Sequence, residues 1–144
     1  NICRDIMEDA QMGRVYLPKD MVSNLSIEKF KNPSDSEKRM INDARNLLLE
    51  VADEYYKSAL RGINHLPSKT SRAVIVAAKL YQAIGKIIVK NKISYQAPRV
   101  YIKKIDKLFI TFKALCQLKK NFYIKKHNQN LHRSLSKLPD AHLK

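Results

Sequence analysis

Apolar positions along the chain fall mostly at helical spacing. From Ser34 to Leu60, the residues Met40, Ala44, Leu47, Leu48, Val51, Tyr55 and Ala59 recur every three or four positions, the period of one helix face. Ser34 followed by Glu37, just after Pro33, is a capping-box signal that opens this helix, and Gly62 is expected as its left-handed C′ residue. Pro67-Ser68 opens a second long helix, with Ala73, Ala77, Ala78, Leu80, Tyr81, Ile84, Gly85 and Ile88 on a broad apolar face. Its small residues let a neighbouring helix come close. After a break at Ser94–Pro98, the spacing of Ile102, Ile105, Leu108, Phe109, Phe112, Leu115 and Cys116 predicts a third amphipathic helix.

Toward the N-terminus, residues 1–11 read as the end of a helix stopped near Gly13. Residues 14–33 read as a loop broken by Pro18 and Pro33, with one helical turn around Ile27–Phe30. No alternating run is bounded by an Asn-Gly or Asp-Gly turn, so the fold class is all-α. Residues 1–118 are expected to form one domain. Residues 119–144 form a basic stretch, poor in apolar periodicity, expected to be a frayed helix running into a disordered tail.

Charge divides the chain. Residues 1–54 carry 8 Lys and Arg against 11 Asp and Glu, while residues 55–144 carry 20 against 2. The net formal charge of +15 therefore lies in the second part, which suits polyanions: nucleic acid, anionic lipid or diphosphates. A hydrophobic content of 44% is ample for a core, and no run of eighteen apolar residues is present. No charged start with an apolar stretch and cleavage site opens the chain, so a secretory leader is not expected. Cys3 and Cys116 match no metal or redox spacing, which fits a reduced cytoplasmic interior. His65, His127, His132 and His142 show no convergent metal spacing and are expected in solvent. Hydrolase and nucleotide-binding loop motifs are missing.

Against this basic background the first residues stand out. Asn1, Asp5 and Asp9 are spaced i, i+4, i+8, so a helix would project them from one side in successive turns. Carboxylates at i, i+4 repel by ~0.2–0.5 kcal/mol, a cost that a bound cation removes. Oxygen donors of this kind suit a hard divalent ion that also bridges to phosphate. Arg4 and Arg14 put positive charge beside that face. A DxxxD pair alone is common on solvated helices. The full pattern N-x-x-R-D-x-x-E-D-x-x-x-G-R-x-Y-L-P, from Asn1 to Pro18, is long and chemically mixed.

That pattern resembles the second aspartate-rich motif of the squalene/phytoene synthase family of isoprenoid synthases. Further resemblance lies in Glu54-Tyr55-Tyr56, in Gly62-Ile63-Asn64-His65-Leu66-Pro67 and in Ala78-Lys79-Leu80-Tyr81-Gln82-Ala83-Ile84-Gly85, covering residues 1 to about 110 and closest to bacterial phytoene synthases. It implies the C-terminal part of an isoprenoid-synthase-type helical bundle. The first aspartate-rich motif would lie upstream of Asn1, so this polypeptide alone is expected to be inactive and poorly soluble.

The resemblance also implies roles. Asn1, Asp5 and Asp9 would hold Mg²⁺, with Mn²⁺ as the alternative ion. Arg4, Tyr16, Tyr81 and Arg99 would bind the substrate diphosphate, and Asp5, Asp9 and Arg4 would be the catalytic set. Glu8 either reaches the metal through water or pairs with Arg4 one turn away. Arg14 is equally a loop-fixing ion-pair partner, and an aromatic placed mid-helix on an apolar face, as Tyr81 is, is more often a core residue. Lys103, Lys104 and Lys107 are expected at the solvated surface.

The implied reaction is a Mg²⁺-dependent head-to-head condensation of two geranylgeranyl diphosphates, through a cyclopropyl diphosphate, to phytoene for carotenoid synthesis. A squalene- or dehydrosqualene-type synthase using farnesyl diphosphate is the near alternative. The partners implied are a prenyl diphosphate and the N-terminal part of the same enzyme, in the cytoplasm or peripheral to an anionic membrane through the basic tail, with no nucleic acid. A different class, a non-catalytic basic helical module binding nucleic acid or anionic membrane, is motivated by Lys125-Lys126-His127 and Arg133.

Overall fold

A computed structural model describes residues 1–119 and 130–131. The described residues hold five α-helices, α1 (Ile6–Gln11), α2 (Ile27–Lys31), α3 (Asp35–Gly62), α4 (Ser68–Lys90) and α5 (Lys104–Lys119), with short 3₁₀ turns at Lys19–Val22 and Ile63–His65. No strand occurs among them, and the all-α expectation holds. Expectations for the tail lie outside the described residues, apart from Lys119, Asn130 and Leu131.

Local signals act where the sequence puts them. At α3, Ser34 Oγ accepts the Glu37 amide at 3.3 Å while Glu37 Oε2 accepts the Ser34 amide at 2.7 Å, completing the capping box. Gly13, at φ +76°, ends the first helical segment in the left-handed region that glycine adopts freely.

Three expectations need correction. Residues 1–4 form a turn, and α1 proper starts only at Ile6. Gly62 is right-handed, at φ −76°, because the chain continues into the Ile63–His65 turn and buries Ile63 instead of reversing. The third helix turns a different face inward: Ala114 is buried, while Ile105, Leu108, Phe109 and Phe112 are exposed.

Two apolar centres result. Ile6, Ala10, Leu17, Val22, Phe30, Ile41, Ala44 and Tyr95 bury one another where α1, α2 and the start of α3 meet. A smaller centre of Ile63, Ile75 and Ala114 joins α4 to α5. On α3, Leu47, Val51 and Tyr55 remain exposed.

Candidate functional site: a cleft between α3 and α4 closed by the N-terminal turn

Apolar side chains of two helices make the walls of a cleft of about 780 Å³, within the size range of small-molecule sites. Leu48, Leu49 and Tyr56 come from α3, and Ile84 and Ile88 from α4. Gly85 sits at the close approach of the walls, where an added Cβ would meet Leu49 Cδ2 at 3.0 Å. Asn1 and Arg4 of the first turn, together with Tyr16, complete the lining. Tyr81 lines it as well and is 47% exposed, a wall position and not a core one.

Behind Arg4 lies an arginine–carboxylate clasp. Arg4 Nε donates to Asp5 Oδ1 at 2.7 Å, and Arg4 Nη2 to Asp5 Oδ2 at 2.8 Å. From far along the chain, Arg99 Nη2 donates to Asp5 Oδ2 at 3.3 Å, and Arg99 Nη1 stands 3.4 Å from Glu8 Oε2. Glu8 therefore pairs with Arg99 through this contact, while Arg4 is committed to Asp5. The hydrogen bonds from Arg4 hold the Asp5 carboxyl below the usual carboxylate range, against the opposing effect of burial. The same bonds push the Arg4 guanidinium further up.

Arg99 reaches Asp5 because the loop before it is fastened to α3. The buried Arg45 guanidinium donates to the Ile93 carbonyl. The Tyr95 amide donates to Asn42 Oδ1 at 3.0 Å, and the buried Tyr95 hydroxyl donates to the Phe30 carbonyl at 2.9 Å. Burial, with Glu37 adding to it, pushes the Tyr95 phenol up to about 12. The Arg99 guanidinium also lies 5.9 Å from the centre of the Tyr101 ring.

The residues singled out in the sequence are thus distributed over three places. Asn1, Arg4, Tyr16 and Tyr81 line the cleft. Asp5 and Arg99 form the clasp behind it. Asp9 lines a separate small cavity with Arg14 and Val15. Backbone bonds from the Asp5 amide to the Asn1 carbonyl (3.0 Å) and from the Asp9 amide to the Asp5 carbonyl (2.8 Å) set the three one helical turn apart. Their hard oxygen donors suit Mg²⁺ in type. They do not close a site on their own: among the described residues, no group of three His, Cys, Asp or Glu is placed to hold a metal ion.

One polar cluster in the cleft was not anticipated from sequence. Gln82, buried on α4, donates to Asp53 Oδ1 at 2.6 Å, and Lys57 Nζ lies 3.0 Å from Asp53 Oδ2 and 2.7 Å from Glu54 Oε1. Burial works to raise the Asp53 pKa, but the hydrogen bonds from Lys57 and Gln82 lower it on balance. The i, i+4 spacing of Asp53 and Lys57 and the i, i+3 spacing of Glu54 and Lys57 are its visible signals. Gln82 comes from another helix and gave none.

Comparison with known proteins agrees with the resemblance. Residues 1–106 match the squalene/phytoene synthase family. The chain is 32% identical over 90 residues to a 15-cis-phytoene synthase of Enterobacter agglomerans, covering 62% of this chain and 30% of that protein. It is 32% identical over 111 residues to a phytoene synthase of Rhodobacter capsulatus, covering 76% and 33%. A bifunctional lycopene cyclase/phytoene synthase of Leptosphaeria maculans is 31% identical over 118 residues, 80% of this chain and 20% of that protein. The chain thus spans a third or less of the length of these relatives. No solved structure matches it significantly. The chain belongs to the squalene/phytoene synthase family.

Proposed function

We propose that this member of the squalene/phytoene synthase family forms the diphosphate-gripping part of a Mg²⁺-dependent prenyltransferase of the phytoene synthase type. In this reading the whole protein joins two geranylgeranyl diphosphates head to head, through a cyclopropyl diphosphate, to give phytoene. The observation that carries the reading is the convergence of Arg4, Tyr16 and Tyr81 on one apolar-walled cleft, with Arg99 clasped to Asp5 directly behind Arg4.

Charge balance argues for a cation as part of the site. Arg4 and Arg99 are already matched by Asp5 and Glu8, so the clasp offers no positive surplus for a diphosphate. Asn1, Asp5 and Asp9 would hold Mg²⁺ together with ligands from outside this chain. A bound Mg²⁺ supplies Lewis-acid neutralisation of the departing diphosphate. The guanidinium donors of Arg4 and Arg99, now on Asp5 and Glu8, would have to be shared with the diphosphate once a cation offsets those carboxylates, and the Tyr16 and Tyr81 hydroxyls would each add one donor. Leu48, Leu49, Ile84 and Ile88 supply an apolar wall that keeps water from a carbocation.

The test uses the full-length protein with Asp5→Ala and Asp9→Ala. Each substitution is expected to lower turnover about 100-fold or more, the scale of losing a group that stabilises developing charge. Retained turnover in either variant contradicts the metal role. Product analysis with geranylgeranyl and farnesyl diphosphates separates the phytoene reading from a squalene- or dehydrosqualene-type synthase.

A further inference from the structure

Joining two prenyl diphosphates into one hydrocarbon forms a carbon–carbon bond and releases both diphosphates with their C–O electron pairs. It also releases two protons, and the groups named so far take neither. One leaves as the cyclopropane closes, the other as the final cation becomes an alkene. Each leaves its C–H electron pair behind, in the new ring bond or the new double bond. A cation that keeps its proton is open to capture by water, so a positioned proton acceptor decides the product.

Among the described residues, three carboxylates line the cleft: Glu50, Asp53 and Glu54. Glu50 is exposed, and Glu54, with its side chain 54% exposed, is held by Lys57 at 2.7 Å. Asp53 is set deeper and held from both walls. Its side chain is 27% exposed, one helical turn beyond Leu49, the apolar residue that Gly85 faces across the cleft. From the opposite helix Gln82 donates to Oδ1 at 2.6 Å, and on its own helix Lys57 Nζ stands 3.0 Å from Oδ2. Lys86 Nζ lies 3.9 Å from Oδ1. A carboxylate offers about four lone-pair sites, so two close donors leave room for a proton.

Gln82 directly follows Tyr81 on α4, and both line the cleft. With Tyr81 donating to the diphosphate, Asp53 stands near the head-group end, where the two substrates join. Burial works to raise the Asp53 pKa, but the bonds from Lys57 and Gln82 keep the carboxyl below its usual range and ionised at neutral pH. Weak basicity is no obstacle, because a C–H bond beside a carbocation is a far stronger acid than a carboxylic acid. The same negative charge stabilises a cation formed beside it. Asp5 is committed elsewhere, its oxygens held by Arg4 and Arg99.

We propose that Asp53 is a catalytic base of this cleft: one of its oxygens takes the last proton from the carbocation, and the freed C–H electron pair becomes the double bond of the new linkage. Gln82 is a positioning residue that holds the carboxylate toward the apolar walls. The assignment rests on the prenyltransferase reading and names the group that decides its product.

The test is product analysis of the full-length protein with Mg²⁺ and geranylgeranyl or farnesyl diphosphate, measuring hydrocarbon and alcohol formed per pyrophosphate released. Asp53→Asn keeps an acceptor for Gln82 and removes the charge. Pyrophosphate release is expected to continue, while hydrocarbon per pyrophosphate falls about 100-fold, the lower end of a positioned base's contribution. Alcohols of the same carbon skeleton should take its place. Asp53→Glu, which keeps a carboxylate, should recover part of the hydrocarbon share, and Gln82→Leu should lower that share less than Asp53→Asn does. An Asn variant with the parent's hydrocarbon share overturns the proposal, since the departing diphosphate or another group then takes the proton. So do Asn and Glu variants that lose hydrocarbon and pyrophosphate release in equal measure along with melting temperature, since Asp53 then only ties α3 to α4. A parent that releases no pyrophosphate from either substrate overturns the prenyltransferase reading itself, and the base assignment falls with it.

Discussion

Around α1, α2 and the start of α3, eight side chains bury one another, whereas α4, α5 and the Ile63–His65 turn share only Ile63, Ile75 and Ala114. The two regions also differ in how distant segments are tied. In the first, Tyr95 bonds the Phe30 carbonyl and the Asn42 side chain, and Arg45 holds Ile93, joining residues about fifty or more positions apart. In the second, α5 lies on α4 by one face and leaves its larger side chains outside. The larger centre carries the clasp and the Arg99 loop, while the smaller one leaves one side of α5 exposed.

The contrast is broken or sharpened first by removing one large side chain from each centre. Phe30→Ala should cost ~3–5 kcal/mol, since Phe30 is fully buried and its neighbours are fixed by the loop bonds. Ile75→Ala should fall near the low end of its range, ~2 kcal/mol, because the thin centre can close over the gap. Chemical denaturation of the full-length protein measures both. Equal costs, or a larger cost at Ile75, would mean that the two centres are not differently held.

A smaller effect probes the tie itself. Tyr95→Phe leaves the Phe30 carbonyl without its donor, at a cost of ~1–3 kcal/mol. The Tyr95 phenol is raised in the folded state, so its contribution is complete below its unfolded pKa of about 10 and is lost as pH rises toward about 12. The parent should therefore lose stability between pH 10 and 12, and the Tyr95→Phe variant should lose less of it over that window. Parallel alkaline profiles of melting temperature would remove Tyr95 from the account.

What the sequence disclosed follows the range of the interactions. The Ser34–Glu37 cap, the Gly13 stop and the start of α4 at Pro67-Ser68 depend on neighbours a few positions away, and all three stand in the fold. The 3₁₀ turn at Lys19–Val22, followed by left-handed Ser23 and Asn24, carries no glycine to announce it. On helix α5 the period picks out the side of Ile105, Leu108, Phe109 and Phe112, but the small Ala114 on the opposite side is what meets the Ile63–Ile75 centre. The residues of the motif from Asn1 to Pro18 divide between cleft, clasp and small cavity, and the contact of Asp5 with Arg99 joins segments too far apart in the chain for any local rule. Gln82 and Asp53, on different helices, were beyond any local rule.

The most direct measurement is a structure of the full-length protein with Mg²⁺ and a prenyl thiodiphosphate that cannot ionise. The account predicts phosphate oxygens within hydrogen-bond distance of Arg4 and Arg99, the metal on Asp5, and the prenyl chain between Leu48 and Ile84. A diphosphate bound away from Arg4, with the α3–α4 cleft filled by protein, would contradict it.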